Sequence, residues 1–224
     1  MLLVDSVTAA HGEAQVLRGV SLRVDAGEVV TLAGRNGAGK TTLLRCVMGL
    51  HPLRAGRIQF AGRDLAPLPA HKRARLGLGW IPDDRGSYAT LSVAENLRLP
   101  RRVGPDAWPL ERIYEVFPPL YLRRDSPATK LSGGEQQMLA LARALRMGAS
   151  VLLCDEPTEG LSPVLVEQVG EILRQARSLG VSVLLVEQNL HFAGALADRC
   201  YVLASGQVRE TAPDDKDLLT YLGV

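Results

Sequence analysis

The sequence predicts an α/β fold built around a parallel β-sheet that is buried on both faces. Three observations predict it: short apolar runs alternate with helix-periodic segments, those runs are apolar throughout, and a glycine-rich loop joins one of them to a helix. The composition agrees, since 46% of the 224 residues are hydrophobic and only 4% are aromatic. A chain of this length can form one well-cored domain. We therefore expect a single domain with subdomains and no internal repeats.

The first part of the chain predicts short strands in LLVDSVTA, VSLRVDAGEVVTLAG and GRIQFAG, separated by glycine and charged turns. The VVTLAG run leads into RNGAGKTTLLRCVMGL, which predicts a loop and then a helix that ends at Gly49. The strand LGLGWI ends at Pro82. After residue 150, the strands VLLCDE, VSVLLVE and CYVLASG alternate with the helices SPVLVEQVGEILRQARSL and NLHFAGALA. This alternation is typical of a parallel sheet.

Residues 83–147 differ from the rest of the chain. Helical segments such as SVAENLRL and LERIYEVF alternate there with turns rich in proline and arginine. We interpret this stretch as a helical lobe inserted into the sheet.

Charge and cysteine content exclude several classes of function. The net charge of +2 is too small to gather nucleic acid. Cys46, Cys154 and Cys200 are odd in number, widely spaced and set in apolar runs, so we expect buried, reduced thiols in a cytosolic protein. No apolar run approaches the roughly 18 residues of a membrane span, and the N-terminus MLLVDSVTAAHGEAQ lacks a cleavable signal. Any membrane role would then require a partner.

The loop after VVTLA matches the pattern GxxxxGK[ST] between a strand and a helix. Its glycines let consecutive backbone N–H groups face phosphates, and the helix dipole adds positive potential. Lys40 would bridge the β- and γ-phosphates, Thr41 would hold Mg²⁺, and Thr42 would bond a phosphate oxygen. The predicted phosphate-binding residues are Gly34, Arg35, Asn36, Gly37, Ala38, Gly39, Lys40, Thr41 and Thr42.

The segment VLLCDEPTEGLSP predicts the second half of the site. Its apolar residues form a strand, and Asp155 and Glu156 follow at the strand end, where ligands bind in parallel α/β sheets. Asp155 would orient Mg²⁺ or its water, and Glu156 would accept a proton from an attacking water.

The segment TKLSGGEQQM predicts a helix start, with Ser132 as cap and Glu135 three residues later. Two consecutive glycines cost roughly 1 kcal/mol each inside a helix. A plain helix would avoid them in its first turn, so we expect this helix start to present bare backbone amides to a ligand.

Taken together, Gly34–Thr42, Leu131–Gln137 and Val151–Pro157 resemble the ATP-binding subunit of an ABC transporter, and the resemblance covers essentially all 224 residues. It implies a P-loop NTPase (RecA-like) core with an N-terminal antiparallel β subdomain, made from residues 1–82 and 148–224. Residues 83–147 would be the inserted helical subdomain. The resemblance also implies ATP, Mg²⁺ and a dimer in which each signature motif contacts the partner's ATP. The signature residues would be Ser132, Gly133, Gly134 and Gln136.

The sequence departs from the general family pattern at four positions. His11, with Val16 as a second contact, stands where an aromatic ring would stack on adenine. Asp83 replaces a glutamine that meets Mg²⁺ and the attacking water. Gln188 replaces the switch histidine, and Ser162 replaces an aspartate that makes contacts across the dimer.

The third of these departures affects the chemistry. Glutamine can hydrogen-bond a γ-phosphate oxygen but cannot shuttle a proton near neutral pH. This leaves Glu156 as the base and Gln188 as a γ-phosphate sensor.

The features VEQN, ATLSVAENL, LSGGEQQMLALARAL, the closing TYLGV and the acidic Asp83 together resemble the LivF-type ATPases of branched-chain amino-acid importers. The ATPases of urea and short-amide importers share most of them. The resemblance implies a peripheral ATPase at the cytoplasmic face of the membrane. Its partners would be integral-membrane permeases, a second ATPase that is identical or different and, indirectly, a periplasmic or extracellular solute-binding protein, but no nucleic acid. The permease would dock beside the mid-chain lobe, near Trp80, Tyr88 and Leu91.

Two other classes of function fit the sequence less well. A soluble ABC ATPase acting on DNA or ribosomes would usually carry coiled coils, zinc insertions or two ATPase units, and this sequence has one phosphate loop and none of those. A P-loop small-molecule kinase would leave LSGGEQQ without a role.

Overall fold

The structure is a computed structural model that describes residues 1–104 and 107–212. The closing TYLGV, one of the features used above, lies outside the described residues. The strands are β1 (Leu2–His11), β2 (Ala14–Val24), β3 (Val29–Ala33), β4 (Ala55–Phe60), β5 (Arg63–Asp64), β6 (Leu78–Ile81), β7 (Val151–Asp155), β8 (Ser182–Glu187), β9 (Arg199–Ala204) and β10 (Gln207–Thr211).

Eight helices accompany these strands within the described ranges. They are α1 (Lys40–Met48), α2 (Ala70–Arg75), α3 (Val93–Arg98), α4 (Leu110–Val116), α5 (Pro118–Leu122), α6 (Gly133–Met147), α7 (Pro163–Ser178) and α8 (Leu190–Leu196), with a 3₁₀ turn at Ala128–Lys130. The short α2, α5 and β10 were not anticipated from the sequence. They carry no long apolar period, which is the signal that predicts an element.

The larger sheet has the strand order β10-β9-β3-β8-β7-β6 and is parallel except at the β10 edge. Its central strands β3, β7 and β8 are buried at every residue, which confirms the predicted parallel sheet covered on both faces. In register, Ala33 lies opposite Glu187, and Asp155 lies opposite Val186. The segments that follow β3, β7 and β8 therefore all begin at the C-terminal ends of the parallel strands, on one side of the sheet.

The smaller sheet has the order β2-β1-β4-β5 and is antiparallel throughout. Alternate residues of β1 are buried, which is typical of a sheet with one covered face. Those residues share a core with β3, α1 and β8. The predicted fold class, an α/β core with an N-terminal antiparallel sheet, is thus confirmed.

Helices α3 to α6 lie between β6 and β7 in the chain. Their buried side chains, among them Trp108, Ile113 and Phe117, pack in one cluster with α7 and with one face of the large sheet. These helices supply the lobe expected at 83–147, while the exact subdomain boundaries stay a prediction.

Arg73 ties α2 to the end of the phosphate-loop helix α1. The side chain is 8% exposed, and its guanidinium donates to the carbonyl oxygens of Leu68 (2.7 Å), Cys46 (2.9 Å) and Val47 (2.8 Å). A cation at a helix C-terminus also suits the helix dipole. The next turn needs Gly49, since φ there is 73° and a Cβ would lie 2.7 Å from Arg73 Cζ.

We expect Arg73→Met to lower the free energy of unfolding by about 2–3 kcal/mol, because three buried carbonyls lose their donor. Chemical denaturation monitored by circular dichroism measures this change. Arg75→Met, at an exposed position of the same helix, is the matched control and should change stability by less than about 0.5 kcal/mol. Equal effects of the two substitutions would contradict the role of Arg73.

The three cysteines are buried and form no disulfide, as the sequence predicted. Burial raises the pKa of the Cys46 thiol to about 11 and also raises the pKa of Cys154. Both thiols are therefore protonated and poorly reactive in the folded protein.

Within the described residues, no helix combines the length and apolar character that crossing a bilayer requires.

Candidate active site

A cleft of about 350 Å³ opens where β3, β6 and β7 end. Its lining combines the phosphate loop with side chains from the first strand pair and from the segments after β6 and β7. The lining residues are His11, Val16, Asn36, Gly37, Gly39, Lys40, Thr41, Thr42, Asp83, Glu156 and Glu159. The structure therefore brings together both halves of the predicted site, and it adds Glu159, which the sequence analysis missed.

Close packing on β2 and β9 explains two of the loop glycines. Gly39 has φ of 108°, and a Cβ there would lie 2.8 Å from Val16 Cγ1. At Gly34 a Cβ would lie 2.8 Å from the carbonyl oxygen of Leu203. In the loop between them, the Ala38 N–H donates a hydrogen bond to the Arg35 carbonyl oxygen (3.1 Å), which closes a turn. Arg35 itself is exposed, and its side chain is not part of the cleft lining.

Lys40 is a buried cation whose three donors all have acceptors. Its ammonium donates to the carbonyls of Gly34 (2.7 Å) and Arg35 (3.0 Å) and pairs with Glu156 Oε1 at 3.0 Å. A buried charge is tolerated when it is paired in this way. A phosphate group that binds Lys40 must compete with the Glu156 carboxylate.

Glu156 follows β7 in a left-handed backbone conformation, with φ of 47°, which is uncommon for a residue with a side chain. Its N–H donates to the Val186 carbonyl (2.9 Å), which fixes this turn to β8. The carboxylate accepts a hydrogen bond from Gln188 Nε2 at 2.9 Å, and the same amide also donates to Asn36 Oδ1. The predicted base and the predicted phosphate sensor are therefore in direct contact.

Asp155 has the features of a cation ligand. It is fully buried, Oδ1 accepts a hydrogen bond from Thr41 Oγ1 (3.1 Å), and Oδ2 is buried with no hydrogen-bond partner among the described residues. Burial raises the pKa of Asp155 to about 6, and the nearby carboxylates of Asp83 and Glu156 add to the rise. An orphaned carboxylate oxygen beside a hydroxyl fits Mg²⁺, a cation that usually takes one or two carboxylates plus substrate phosphates.

Asp83 lies in the same cleft but is exposed. Among residues 1–104 and 107–212, no group of three or more His, Cys, Asp or Glu side chains is arranged to hold a metal by itself. Mg²⁺ at this site would therefore depend on phosphate oxygens as well.

The His11 ring lies at the mouth of the cleft, at the end of β1. Its Nε2 is 3.2 Å from Thr42 Oγ1, and its ring centroid is 4.6 Å from that of His51. His51 is in turn held by a contact of its Nε2 with the Ala10 carbonyl oxygen (3.1 Å). His51 could not be predicted from the sequence, because it lies 40 positions from His11 and only the fold brings the two rings together.

The signature segment forms the start of α6, as its capping pattern predicted. Ser132 Oγ accepts from the Glu135 N–H (3.3 Å), and Glu135 Oε2 accepts from the Ser132 N–H (2.7 Å). Gly134 also has a packing reason, since a Cβ there would lie 2.4 Å from Leu165 Cδ1 on α7. Gln136 Oε1 accepts from Arg85 Nη1 (3.0 Å), so this predicted contact to a partner's ATP is engaged within its own chain.

The signature residues lie apart from the phosphate loop. Of the residues described, neither Ser132 nor Gly133, Gly134 or Gln136 lines the cleft. The cleft therefore contains the backbone amides of the phosphate loop, and the first-turn amides of α6 lie elsewhere on the chain.

Glu187, the last residue of β8, is a further acidic group that the sequence analysis overlooked. It is 3% exposed, and burial raises its pKa. Thr158 donates to it from both its N–H (3.1 Å) and its hydroxyl (2.7 Å). The available signal was a glutamate that ends a strand which is otherwise free of charge.

A second groove, of about 500 Å³, lies between the large sheet and the mid-chain helices. Its lining residues are Arg45, Met48, Ala74, Leu78, Gly79, Trp80, Pro82, Asp83, Asp84, Arg85, Gly86, Tyr88, Leu99, Pro100, Ala140, Arg143, Ala144 and Met147. Trp80 and Tyr88 are among them, as the docking hypothesis expected, whereas Leu91 is not. Leu91 is half-buried, and its carbonyl accepts from Ala128 N–H and Asn96 Nδ2.

This fold and cleft define a P-loop nucleoside triphosphatase. Strand β3, a glycine-rich loop and a helix present Lys40 and Thr41. Strand β7, separated from β3 by β8, brings Asp155 and Glu156 to the same point.

The chain belongs to the ABC transporter family, since the family model described as ABC transporter matches residues 17–159. It is therefore an ATP-binding subunit that hydrolyses ATP. The high-affinity branched-chain amino acid transport ATP-binding protein BraG of Pseudomonas aeruginosa is 42% identical and covers 93% of this chain and 91% of its own length. The probable branched-chain amino acid transport ATP-binding protein LivF of Archaeoglobus fulgidus is 36% identical, covering 93% and 90%. The lipopolysaccharide export system ATP-binding protein LptB of Escherichia coli K12 is 34% identical, covering 99% and 97%.

Solved structures agree with this assignment. A structure described as the ATP-binding subunit of an ABC transporter superposes with a TM-score of 0.85 at 28% identity, covering 100% of this chain and 95% of its own. A dimeric bacterial ABC transporter cassette has a TM-score of 0.83 at 24% identity, covering 96% of this chain and all of its own, and this second likeness concerns the fold alone.

Proposed function

We propose that this protein is the ATP-hydrolysing motor of a membrane importer for branched-chain amino acids and that it works as a dimer of ATPase subunits. One geometric observation carries the proposal. Asp83 lines both the nucleotide cleft and the second groove, so one loop connects the site of ATP hydrolysis with a surface on which a permease can dock. The solute class is supported by the branched-chain amino acid transport function of BraG and LivF.

Most of the residues that line the cleft have a proposed role. Lys40 and the amides of residues 36–41 bind the phosphates, and Thr42 adds a hydrogen bond. Glu156 leaves Lys40 when the γ-phosphate arrives and then accepts a proton from the attacking water. Gln188 holds the Glu156 carboxylate through one N–H of its amide, and the other N–H, which donates to Asn36 in this structure, moves to a γ-phosphate oxygen.

Two further ligands complete the proposed site. Thr41, Asp155 and Asp83 would hold Mg²⁺, which neutralises phosphate charge when it is bound. His11 would stack on the base, with Val16 beside it.

Each ATP site is proposed to be composite: the phosphate loop comes from one chain and the signature residues come from another chain. Ser132, Gly133 and Gly134 begin a 15-residue helix whose first-turn N–H groups suit an anion. The Ser132 N–H donates to Glu135 within its own chain, so the amides proposed to bind the γ-phosphate of a nucleotide held by a partner ATPase are those of Gly133 and Gly134, which lie outside the cleft of their own chain.

The second groove is the proposed docking surface for a short helix of the permease. Its lining combines an apolar floor from β6 and α6 with a rim that carries Tyr88 and Leu99, each 52% exposed. The rim also carries arginines and aspartates, which can set the register of a helix partner. Within this proposal the protein is peripheral, at the cytoplasmic face of the membrane.

We expect the double substitution Tyr88→Glu and Leu99→Glu to abolish solute uptake, because docking of the permease would bury two carboxylates. Basal ATP hydrolysis should stay within about twofold, because neither residue lines the nucleotide cleft. Uptake of radiolabelled leucine by cells and phosphate release by purified protein measure the two effects. Leu122→Glu, at a 78% exposed position of the same lobe, is the matched control and should preserve uptake. Normal uptake by the double variant would contradict the docking assignment.

The importer proposal as a whole is tested by capture. Tagged Glu156→Gln protein is isolated from its native membranes with ATP and Mg²⁺, and its partners are identified by mass spectrometry. We expect two hydrophobic permeases and a second ATPase subunit or a second copy of this chain. A solute-binding protein encoded with those permeases is then assayed with leucine and with urea.

Other outcomes of the capture would replace the proposal. Urea binding without leucine binding would assign the related amide importers. Recovery of lipopolysaccharide export components would favour the function of LptB. Recovery of ribosomes or DNA-repair proteins would overturn the transporter assignment and leave only the chemistry of the ATP site.

A further inference from the structure

Glu187 is a buried carboxylate for which the proposed hydrolysis has no direct use. It ends β8 with 3% of its surface exposed, and among the described residues it takes part in no ion pair. An unpaired charge in such a position is costly unless hydrogen bonds satisfy it. The hydrogen bonds of its carboxylate therefore indicate its role.

The two carboxylate oxygens bind two different loops. Oε1 accepts from Thr158, through the N–H at 3.1 Å and the hydroxyl at 2.7 Å. Oε2 accepts from the N–H groups of Gln188 (3.2 Å) and Asn189 (3.4 Å). One side chain thus joins the loop after β7 to the loop after β8.

Those loops carry the two groups proposed to act on the γ-phosphate. Glu156 is two residues before Thr158, and Gln188 directly follows Glu187. Gln188 Nε2 must reach Glu156 Oε2, which it does at 2.9 Å. Gln188 is exposed, so little packing fixes its side chain, and the backbone bond to Glu187 sets the point from which its amide reaches Glu156.

We propose that Glu187 is a positioning residue that clamps the backbone of Gln188 to the loop of Glu156 and so holds the phosphate sensor on the catalytic base. This inference rests on the proposed roles of Glu156 and Gln188. It assigns Glu187 to the rate of the chemical step and not to nucleotide binding, because none of its four contacts involves the phosphate loop.

The isosteric substitution Glu187→Gln tests this directly. A glutamine has one acceptor oxygen and one NH₂ group, so in either orientation the backbone donors of one loop lose their acceptor. With the purified full-length protein, we expect kcat for ATP hydrolysis to fall by at least about tenfold while KM for ATP changes by less than about twofold. Glu171→Gln, an exposed carboxylate on α7, is the matched control and should retain normal kcat.

A purely structural role gives a different result. It would lower the melting temperature and the fraction of protein that binds ATP, and it would leave turnover per bound ATP unchanged. The measurement therefore includes ATP-binding stoichiometry by calorimetry and a thermal melt. Unchanged turnover per bound ATP would overturn the proposal.

A double-mutant cycle separates the positioning role from an independent one. If Glu187 acts through Gln188, adding Glu187→Gln to Gln188→Ala should reduce kcat by less than about twofold further. Losses that multiply in full would overturn the clamp. Should Glu187→Gln fail to fold, Thr158→Val removes only the 2.7 Å hydroxyl contact, and it must lower kcat without raising KM. Normal turnover by Glu156→Gln would refute the assumed base and not the clamp itself.

Discussion

Replacing Glu156 with glutamine is expected to reduce ATP turnover by about a hundredfold to ten-thousandfold, the range typical of a lost general base. An amide of the same shape cannot accept the proton of the attacking water. It also removes the negative charge that pairs with Lys40 at 3.0 Å, so the γ-phosphate no longer competes with a carboxylate for that ammonium. ATP should therefore bind at least as tightly as in the unchanged protein, and the closed dimer should accumulate.

Two measurements check this prediction. Phosphate release under saturating ATP and Mg²⁺ gives turnover, and size-exclusion chromatography with light scattering gives the oligomeric state in the same buffer. Glu159→Gln is the matched control, since Glu159 lines the same cleft and no hydrogen bond or ion pair among the described residues joins its side chain to Lys40 or Gln188. A variant that hydrolyses ATP normally, or that stays monomeric with saturating ATP, would contradict the assignment.

The elements that the sequence predicted are those with a repeating physical signal. The phosphate loop was recognisable because a strand, a fixed glycine spacing and a helix stand next to one another, and Gly39 proves to be required by its φ of 108° and by Val16. The capping box of Ser132 and Glu135 was equally local. The residues of each such feature lie close together in the chain, so the feature can be recognised from the sequence alone.

What the sequence could not predict depends on contacts between distant segments. Three contacts join residues whose positions in the chain do not indicate that they are close in space. They are the ring contact between His11 and His51, the hydrogen bonds of Arg73 to the end of α1, and the hydrogen bonds of Glu187 to the loops after β7 and β8. The same limit applies to Gln136. Its place in the signature predicted a contact with a partner's ATP, which stays a prediction, and the sequence contained no sign that Arg85, 51 positions away, donates a hydrogen bond to its side chain.

Replacing Ser132 with arginine is expected to lower ATP hydrolysis by at least about a hundredfold while the isolated chain binds ATP within about twofold of normal. The large cation would occupy the space where the first amides of α6 must approach a partner's γ-phosphate. ATP binding survives because Ser132 lies outside the cleft that holds Lys40 and Thr41. Calorimetric titration of the monomer and phosphate release by the dimer measure the two quantities.

Loss of the helix cap is a separate effect of this substitution and costs about 1 kcal/mol. Ser92 provides the matched control, because it caps α3 with the same capping box, formed with Glu95. Ser92→Arg should lose comparable stability and keep its hydrolysis. Loss of ATP binding by the Ser132→Arg monomer would contradict the separation of the two half-sites.

Mixing two inactive variants tests the shared site most directly. Lys40→Ala removes the phosphate-loop cation, and Ser132→Arg blocks the signature, so each variant alone should form dimers with two defective sites. In a mixed dimer both defects fall in one composite site, and the other site combines an intact phosphate loop with an intact signature. Hydrolysis should therefore reappear on mixing. If mixed dimers form and stay inactive, Lys40 and Ser132 must serve the same ATP from one chain, and the two-chain site would be wrong.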